Sequence, residues 1–107
     1  MKYGLTAENL TQITQVFKRN PAVLKVYLYG SRAMGTNRPG SDIDLAVSGN
    51  QLTFNDFLNL TIQLEELDLL YVFDVQHLDK IKNPDMLNHI NRVGIPIYVA
   101  MITSDVY

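Results

Sequence analysis

The stretch VYLYGSRAMGTNRPGSDIDLAV, residues 26–47, carries the most informative pattern for the fold of this chain. It begins as an apolar segment typical of a strand, passes through a segment rich in Gly, Ser and Arg, and ends in a second strand-like segment. Because side chains on a strand alternate between two faces, the apolar residues of the second segment share one face, and Asp42 and Asp44 share the other. The stretch therefore predicts two strands joined by a loop, with a pair of acidic side chains on one face of the sheet.

The flanking sequence predicts further helices and strands. Residues 30–41 are predicted to be a loop, because glycine and proline recur there, and no crossover helix fits within them. The first two strands can therefore pair antiparallel. Pro96 confines the last strand to a sheet edge or to a strand start. Helices are predicted from the Thr6 cap to Asn20, from the Thr53 cap to about Leu67 and over Pro84–Val93, and strands over Val23–Tyr29, Asp42–Val47, Leu69–Gln76 and Ile95–Met101.

The order α-β-β-α-β-α-β predicts an α/β (α+β) fold. We expect one domain over residues 1–107, with a mixed sheet of about four strands and helices packed on one face. A chain of this length buries enough apolar surface to fold without cross-links.

The second predicted helix carries more apolar residues than one buried stripe needs. Three leucines widen its apolar surface, and they either fill the core or contact a partner protein or a second copy. The predicted inner stripe consists of Phe54, Phe57, Leu58, Thr61 and Ile62, and the additional leucines are Leu60, Leu64 and Leu67.

Composition excludes several classes of protein. The chain has no cysteine, so it has neither a disulfide framework nor a thiolate metal site. A formal net charge of −2 argues against a broad nucleic-acid-binding surface but leaves room for a local basic loop. No N-terminal signal pattern and no long apolar run occurs, so we expect a soluble, cytoplasmic protein without a membrane segment.

A third acidic residue, Asp74, lies in another strand whose opposite face is apolar. If this strand pairs with the strand of Asp42 and Asp44, three carboxylates gather on one face of the sheet. Two such charges about 4 Å apart repel by roughly 4 kcal/mol at an effective dielectric constant of about 20. A divalent cation removes this repulsion, and carboxylate oxygens suit Mg²⁺, which takes its remaining ligands from water and substrate phosphates. The three acids therefore predict a magnesium site.

The loop before Asp42 predicts a phosphate-binding site. Gly30 and Ser31 at a strand end let backbone N–H groups and a hydroxyl approach an anion closely. Arg32 and Arg38 offer charged donors to phosphate, and Ser41 in the same loop is a further candidate. Each feature alone has a structural explanation as a turn or a solvent-facing pair, whereas together they favour phosphoryl chemistry. His77 and His89 lack partners at metal spacing and receive no role.

The segment GSRAMGTNRPGSDIDLAV resembles the nucleotidyltransferase signature of the DNA polymerase β-like superfamily. That signature consists of Gly-Ser, a spacer and Asp-x-Asp on a strand, with a third Asp on a later strand, which Asp74 in YVFDVQ matches. The short chain is most similar to the minimal nucleotidyltransferases, which are commonly paired with HEPN-domain toxins in toxin–antitoxin modules.

The resemblance implies a role for each matching residue. Gly30 and Ser31 would hold the β- and γ-phosphates of ATP or another NTP. Asp42 and Asp44 would ligate two Mg²⁺ ions, and Asp74 would ligate the catalytic ion and help deprotonate an acceptor hydroxyl. A nucleoside monophosphate, AMP if the substrate is ATP, would then move to the acceptor, a tyrosine of a HEPN toxin, while pyrophosphate leaves.

Two other functions remain open from the sequence. The chain could be a non-catalytic antitoxin that neutralises its partner by binding alone. It could also be a metal-dependent phosphodiesterase that uses the same acids with water as the acceptor, although the Gly-Ser loop favours an NTP. The base and acceptor sites could be completed by a partner or by a second copy, in a homo- or hetero-oligomer.

Overall fold

The computed structural model describes residues 1–101, which form four helices and a four-stranded mixed sheet. This confirms the predicted α/β (α+β) fold class, with one short helix more than the sequence indicated. The elements are α1 Ala7–Lys18, β1 Lys25–Tyr29, α2 Gly30–Met34, β2 Ile43–Ser48, α3 Phe54–Glu65, β3 Phe73–His77, a 3₁₀ turn Leu78–Lys80, α4 Pro84–Val93 and β4 Ile95–Val99.

The sheet has the strand order β3-β2-β1-β4. Strand β1 pairs antiparallel with β2 and with β4, and β2 pairs parallel with β3. The loop of residues 30–41 therefore connects antiparallel neighbours, as predicted. Pro96 lies on β4, which is an edge strand of the sheet. Proline has no backbone N–H, and at an edge this does not remove a hydrogen bond from the middle of the sheet.

One face of the sheet carries the main core, covered by α1 and α3. The Thr6 hydroxyl caps α1 by accepting from the Asn9 N–H, and Thr53 and Asp56 form the predicted capping box of α3. The fully buried core residues include Ile13, Val16, Phe17, Val26, Leu28, Ile43, Leu45, Val47, Leu60 and Leu64.

Helix α4 packs on the opposite face, so the prediction that the helices share one face was wrong for this element. Ile90 of α4 is buried against Tyr29 and Ala46, which point away from the main core. Tyr29 and Ala46 add apolar surface to the face of the sheet that carries the acids. The apolar side of α4 covers this surface. The acids therefore lie beside a helix and not on an open sheet.

Residues 30–34 are helical, whereas the sequence predicted loop throughout residues 30–41. Gly30 has φ +72°, which turns the chain sharply out of β1, and Gly35 has φ +77° and ends the helix with its N–H bonded to the Ser31 carbonyl. Left-handed conformations suit glycine, so the two glycines bracket a single helical turn instead of preventing one.

The helical phase of α3 differs from the predicted one. Leu60 and Leu64 are fully buried and Leu67 packs against the core, which settles the choice between core and partner contact for these leucines. Three residues assigned to the inner stripe are instead exposed, namely Phe54, Leu58 and Ile62. With apolar residues on two sides of the helix, periodicity alone could not select the buried side.

Among residues 1–101, no helix combines the length and the apolar character that crossing a bilayer requires.

Candidate active site

The register of β2 and β3 brings two of the three predicted carboxylates together. Asp44 and Asp74 are direct Cα partners on these parallel neighbours. Asp42 immediately precedes β2 and points to the same side as Asp44, because residues two apart on an extended chain share a face. The strands therefore gather the three acids on one face of the sheet.

Asp44 is the electrostatic centre of this group. It is half-buried, while Asp42 and Asp74 are exposed. Burial, followed by the charges of Asp74 and Asp42, raises the pKa of Asp44, and the nearby His89 and Arg32 oppose this effect. The carboxylates repel one another in the folded chain, which is the condition that a bound cation relieves.

Tyr29 ends β1 directly opposite Asp44, and it is 5% exposed. Burial and the charges of Asp74 and Asp44 raise the pKa of Tyr29 to about 12, so the phenol is neutral at physiological pH. Its hydroxyl has no hydrogen-bond partner among the described residues. The His89 ring meets the Tyr29 ring edge-on with centroids 6.0 Å apart.

Tyr29 and His89 are the residues near the acids that sequence reasoning missed. Tyr29 is adjacent to Gly30 in the sequence, but nothing in the sequence shows that it pairs with Asp44. His89 belongs to α4, and the signal that could have placed it is its position three residues after Met86 and four before Val93, which both pack on the sheet.

Gly30 lies directly against the Asp44 carboxylate. A β-carbon at this position would collide with the Asp44 side chain, and the positive φ adds backbone strain for any other residue. The turn from β1 into α2 therefore approaches the acid face as closely as the backbone allows. This places Gly30 beside Asp44, whereas the phosphate-binding role of Gly30 and Ser31 stays a prediction.

Arg32 does not occupy the phosphate-binding position predicted for it. It is 2% exposed, and its guanidinium donates hydrogen bonds to the backbone carbonyls of Ser41 (2.7 Å from Nη2), Asp42 (3.2 Å) and Tyr3 (2.9 Å). The guanidinium also stacks on the Tyr71 ring, 4.8 Å from its centroid. With its donors used inside the protein, Arg32 fixes the loop that leads into β2 instead of binding substrate.

Arg38 and Ser41 form the turn before Asp42. The Ser41 hydroxyl accepts a hydrogen bond of 2.8 Å from the Arg38 N–H, and the Ser41 N–H donates to the Arg38 carbonyl at 3.0 Å. The Arg38 side chain is exposed. Ser41 shapes the turn through its oxygen atoms, and its hydroxyl hydrogen remains free to donate.

His77 lies away from the three acids. It ends β3 on the opposite face of the sheet, where its ring stacks on Phe57 with centroids 5.8 Å apart. Its Nε2 is 3.0 Å from the Gly49 carbonyl, and the Asp79 carboxylate accepts from the Gly49 N–H at 3.0 Å. His77 therefore ties β3 to the turn after β2.

A family model described as "Polymerase beta, Nucleotidyltransferase" matches residues 11–101. The chain belongs to this nucleotidyltransferase family. The match spans β1 to β4 and so includes the acid face, the Gly30-Ser31 turn and helix α4.

Solved structures share the fold of this nucleotidyltransferase. A toxin–antitoxin complex with AMP-PNP contains a chain that is 25% identical, with a TM-score of 0.69, over 86% of this chain and 74% of that one. The toxin–antitoxin complex MntA–HepT matches at 21% identity and a TM-score of 0.65, over 89% of this chain and 74% of that one. A complex of a tri-AMPylated HEPN toxin from Shewanella oneidensis with MNT antitoxin matches at 22% identity and a TM-score of 0.64. The match covers 87% of this chain and 71% of that one. No curated protein sequence matches.

The acid face suits a divalent cation by its donor chemistry. Carboxylate oxygens are the ligands that Mg²⁺ prefers, and burial together with the charges of Asp74 and Asp42 raises the pKa of Asp44. Within residues 1–101, no three His, Cys, Asp or Glu side chains are arranged so that they could hold a metal ion. The Mg²⁺ site on the acid face therefore stays a prediction, which rests on the chemistry of its carboxylate donors.

Proposed function

We propose that this chain is a Mg²⁺-dependent nucleotidyltransferase that moves AMP from ATP to the hydroxyl of a tyrosine on a HEPN-type toxin, and that it acts as the antitoxin of that pair. The observation that carries the proposal is the register of Asp44 with Asp74 beside Asp42, directly against the Gly30 turn. Three carboxylates that repel one another are retained for binding and not for stability.

The proposed binding of the nucleotide starts at the turn after β1. Gly30 and Ser31 lead into α2, where the first backbone N–H groups lack intrahelical acceptors and no side chain caps them. These N–H groups and the Ser31 hydroxyl are the proposed donors to the β- and γ-phosphates. Arg38, exposed in the same loop, supplies a mobile positive charge.

The proposed transfer is a displacement at the α-phosphorus. Asp42, Asp44 and Asp74 hold Mg²⁺, which when bound neutralises phosphate charge and aligns the attacking and leaving oxygens. Asp74 accepts the proton of the acceptor hydroxyl, whose oxygen forms a bond to the α-phosphorus while the bond to pyrophosphate breaks. Exposure of Asp74 at the edge of the sheet leaves room for an acceptor from another protein.

The proposed partner rests on the structural neighbours. One neighbour was solved with AMP-PNP, and another is a complex in which the HEPN toxin is tri-AMPylated. At 22% identity the second likeness carries the fold alone, so the acceptor and the direction of AMP transfer belong to our proposal. The proposed phosphate-binding turn at Gly30 and Ser31 favours transfer of AMP from ATP over a hydrolysis in which water is the acceptor.

The test is transfer of label from α-³²P-ATP to a HEPN-type toxin that is co-expressed and purified with this chain. We expect Mg²⁺-dependent labelling of the partner by the wild type and loss of at least about 100-fold with Asp44→Asn or Asp74→Asn. Asp85→Asn, which removes an exposed carboxylate on α4 that is not one of the three proposed Mg²⁺ ligands, is the matched control and should label normally.

The alternatives give different results in the same experiment. Labelling that survives the double replacement Asp42→Ala with Asp44→Ala refutes the assignment. Absence of labelling, together with rescue from toxicity by Asp44→Asn at normal expression, identifies inhibition by binding alone. Hydrolysis of a bis-ester phosphate without use of ATP identifies a phosphodiesterase.

A further inference from the structure

Helix α3 exposes a continuous apolar stripe that the fold does not cover. Phe54, Leu58 and Ile62 are 76%, 46% and 47% exposed, and they are four residues apart, so they lie along one side of the helix. A soluble domain rarely leaves a continuous stripe of large apolar side chains on one helix without a use.

The direction of the stripe follows from the opposite flank of the helix. There Gln63 accepts a hydrogen bond from Asn20 at the end of α1, with 3.1 Å between Nδ2 and Oε1. The stripe therefore faces away from α1 and toward β3, which is one of the two edge strands of the sheet. A groove of about 450 Å³ lies there between Phe54 and the β3 residues Val75 and His77.

We propose that this surface, which we call the α3 stripe (Phe54, Leu58 and Ile62), is the interface of a two-fold dimer with a second copy of this chain. The spacing of the stripe is self-complementary. If two α3 helices pack antiparallel about Leu58, Leu58 meets its own copy and Phe54 of each chain meets Ile62 of the other. A two-fold interface requires this kind of reciprocal pairing.

The charges at the two ends of the stripe are complementary in the same arrangement. Lys80 lines the groove beside Phe54, at the N-terminal end of α3. Exposed Glu65 and Glu66 lie at the other end, about 18 Å away along a helix of this length. Antiparallel packing brings Lys80 of each copy to Glu65 and Glu66 of the other.

The C-terminal end of α3 gives independent support for a basic partner group there. Glu65 and Glu66 stand at the negative end of the helix dipole, and the last turn of α3 contains no basic residue. Within a single chain this placement is unfavourable. Lys80 from a second copy supplies the positive charge, and the open edge of β3 beneath the stripe is shielded at the same time.

The first test is the mass of the purified chain by light scattering and sedimentation over a range of concentrations. We expect a dimer for the wild type and a dissociation constant raised about tenfold or more by Leu58→Asp. Leu24→Asp is the matched control, since Leu24 is 41% exposed and lies beside the opposite edge of the sheet. It should dimerise as the wild type does.

The second test exchanges the charges. Lys80→Glu should weaken the dimer, and adding Glu65→Lys and Glu66→Lys to the same chain should restore it. A monomeric wild type, a dimer that survives Leu58→Asp, or a failure of the triple variant to restore association would each overturn the proposal. A wild type that is monomeric alone but loses a different partner protein on Leu58→Asp would assign the stripe to that partner instead.

Discussion

Gly30 shows how a single missing side chain brings the turn after β1 against the acid face. Gly30→Ala and Gly35→Ala both place alanine at a positive φ, which costs roughly 1–2 kcal/mol of unfolding free energy. At Gly35 a β-carbon meets nothing within 4 Å, whereas at Gly30 it meets the Asp44 carboxylate. We therefore expect Gly30→Ala to lose roughly 1–3 kcal/mol more than Gly35→Ala in urea unfolding. Equal losses would mean that Asp44 moves aside freely.

Asp44 should make the stability of the protein depend on pH. Because its folded pKa is raised, the protonated form favours folding, and this contribution is lost as pH rises through the folded pKa. Without divalent cations at neutral pH, Asp44→Asn should therefore be more stable than the wild type. The gap should close as pH falls toward 3.8, the ordinary value for Asp.

Thermal unfolding of both proteins across this pH range in the presence of a chelator measures the effect of Asp44→Asn. Asp85→Asn serves as the control, because its carboxylate lies in the first turn of α4, where a negative charge is favourable. That variant should not be more stable than the wild type. A constant difference between Asp44→Asn and the wild type at all pH values would contradict the expectation.

At the scale of elements, Arg32 joins helix α2 to the segment that leads into β2. Its replacement by alanine leaves partly buried carbonyls without donors and removes a buried side chain, so Arg32→Ala should lose at least about 3 kcal/mol of unfolding free energy. Arg38→Ala, in the same loop but exposed, should change stability by less than about 0.5 kcal/mol. Denaturant unfolding of the two variants compares them directly, and similar losses would refute the structural role of Arg32.

Helix α3 allows a second comparison within one element. Leu60 is fully buried, so Leu60→Ala should cost about 2–5 kcal/mol, whereas Leu58→Ala should cost the folded monomer less than about 1 kcal/mol. Both changes replace leucine by alanine inside the same helix, so the intrinsic helix propensity cancels. Unfolding at a concentration too low for association measures the monomer, and a reversed order would restore the helical phase predicted from the sequence.

At the scale of the whole molecule, the acid face depends on the pairing of β2 with β3. If Mg²⁺ binds there, a concentration one hundred times its Kd should stabilise the wild type by about 2.7 kcal/mol. Asp74→Asn should remove most of this gain, although Asp74 is thirty residues from Asp44 in the chain. Calorimetric melting with and without Mg²⁺ measures this stabilisation. Asp85→Asn is the control, and Mg²⁺ should stabilise it as much as the wild type. An equal gain in Asp74→Asn would place the ion elsewhere.

The caps, the shared face of Asp42 and Asp44 and the presence of four strands follow from the sequence alone, although β3 begins at Phe73 and not at the predicted Leu69. These features depend on residues close together in the chain, through strand alternation, capping hydrogen bonds and the conformational limits of glycine and proline. It also predicted α4 at its observed bounds, Pro84–Val93, because Pro and Gly94 mark both ends.

Three features required the packed fold: the buried side of α3, the packing position of α4 and the contacts of Arg32. Each outcome depends on surfaces that are far apart in sequence: α1 selects the buried side of α3, Tyr29 and Ala46 receive α4, and the carbonyls of Tyr3 and Ser41 engage Arg32. A residue type shows which contacts a side chain can make. The packed fold shows which of them it makes, because burial and hydrogen bonding are shared among elements that meet only after folding.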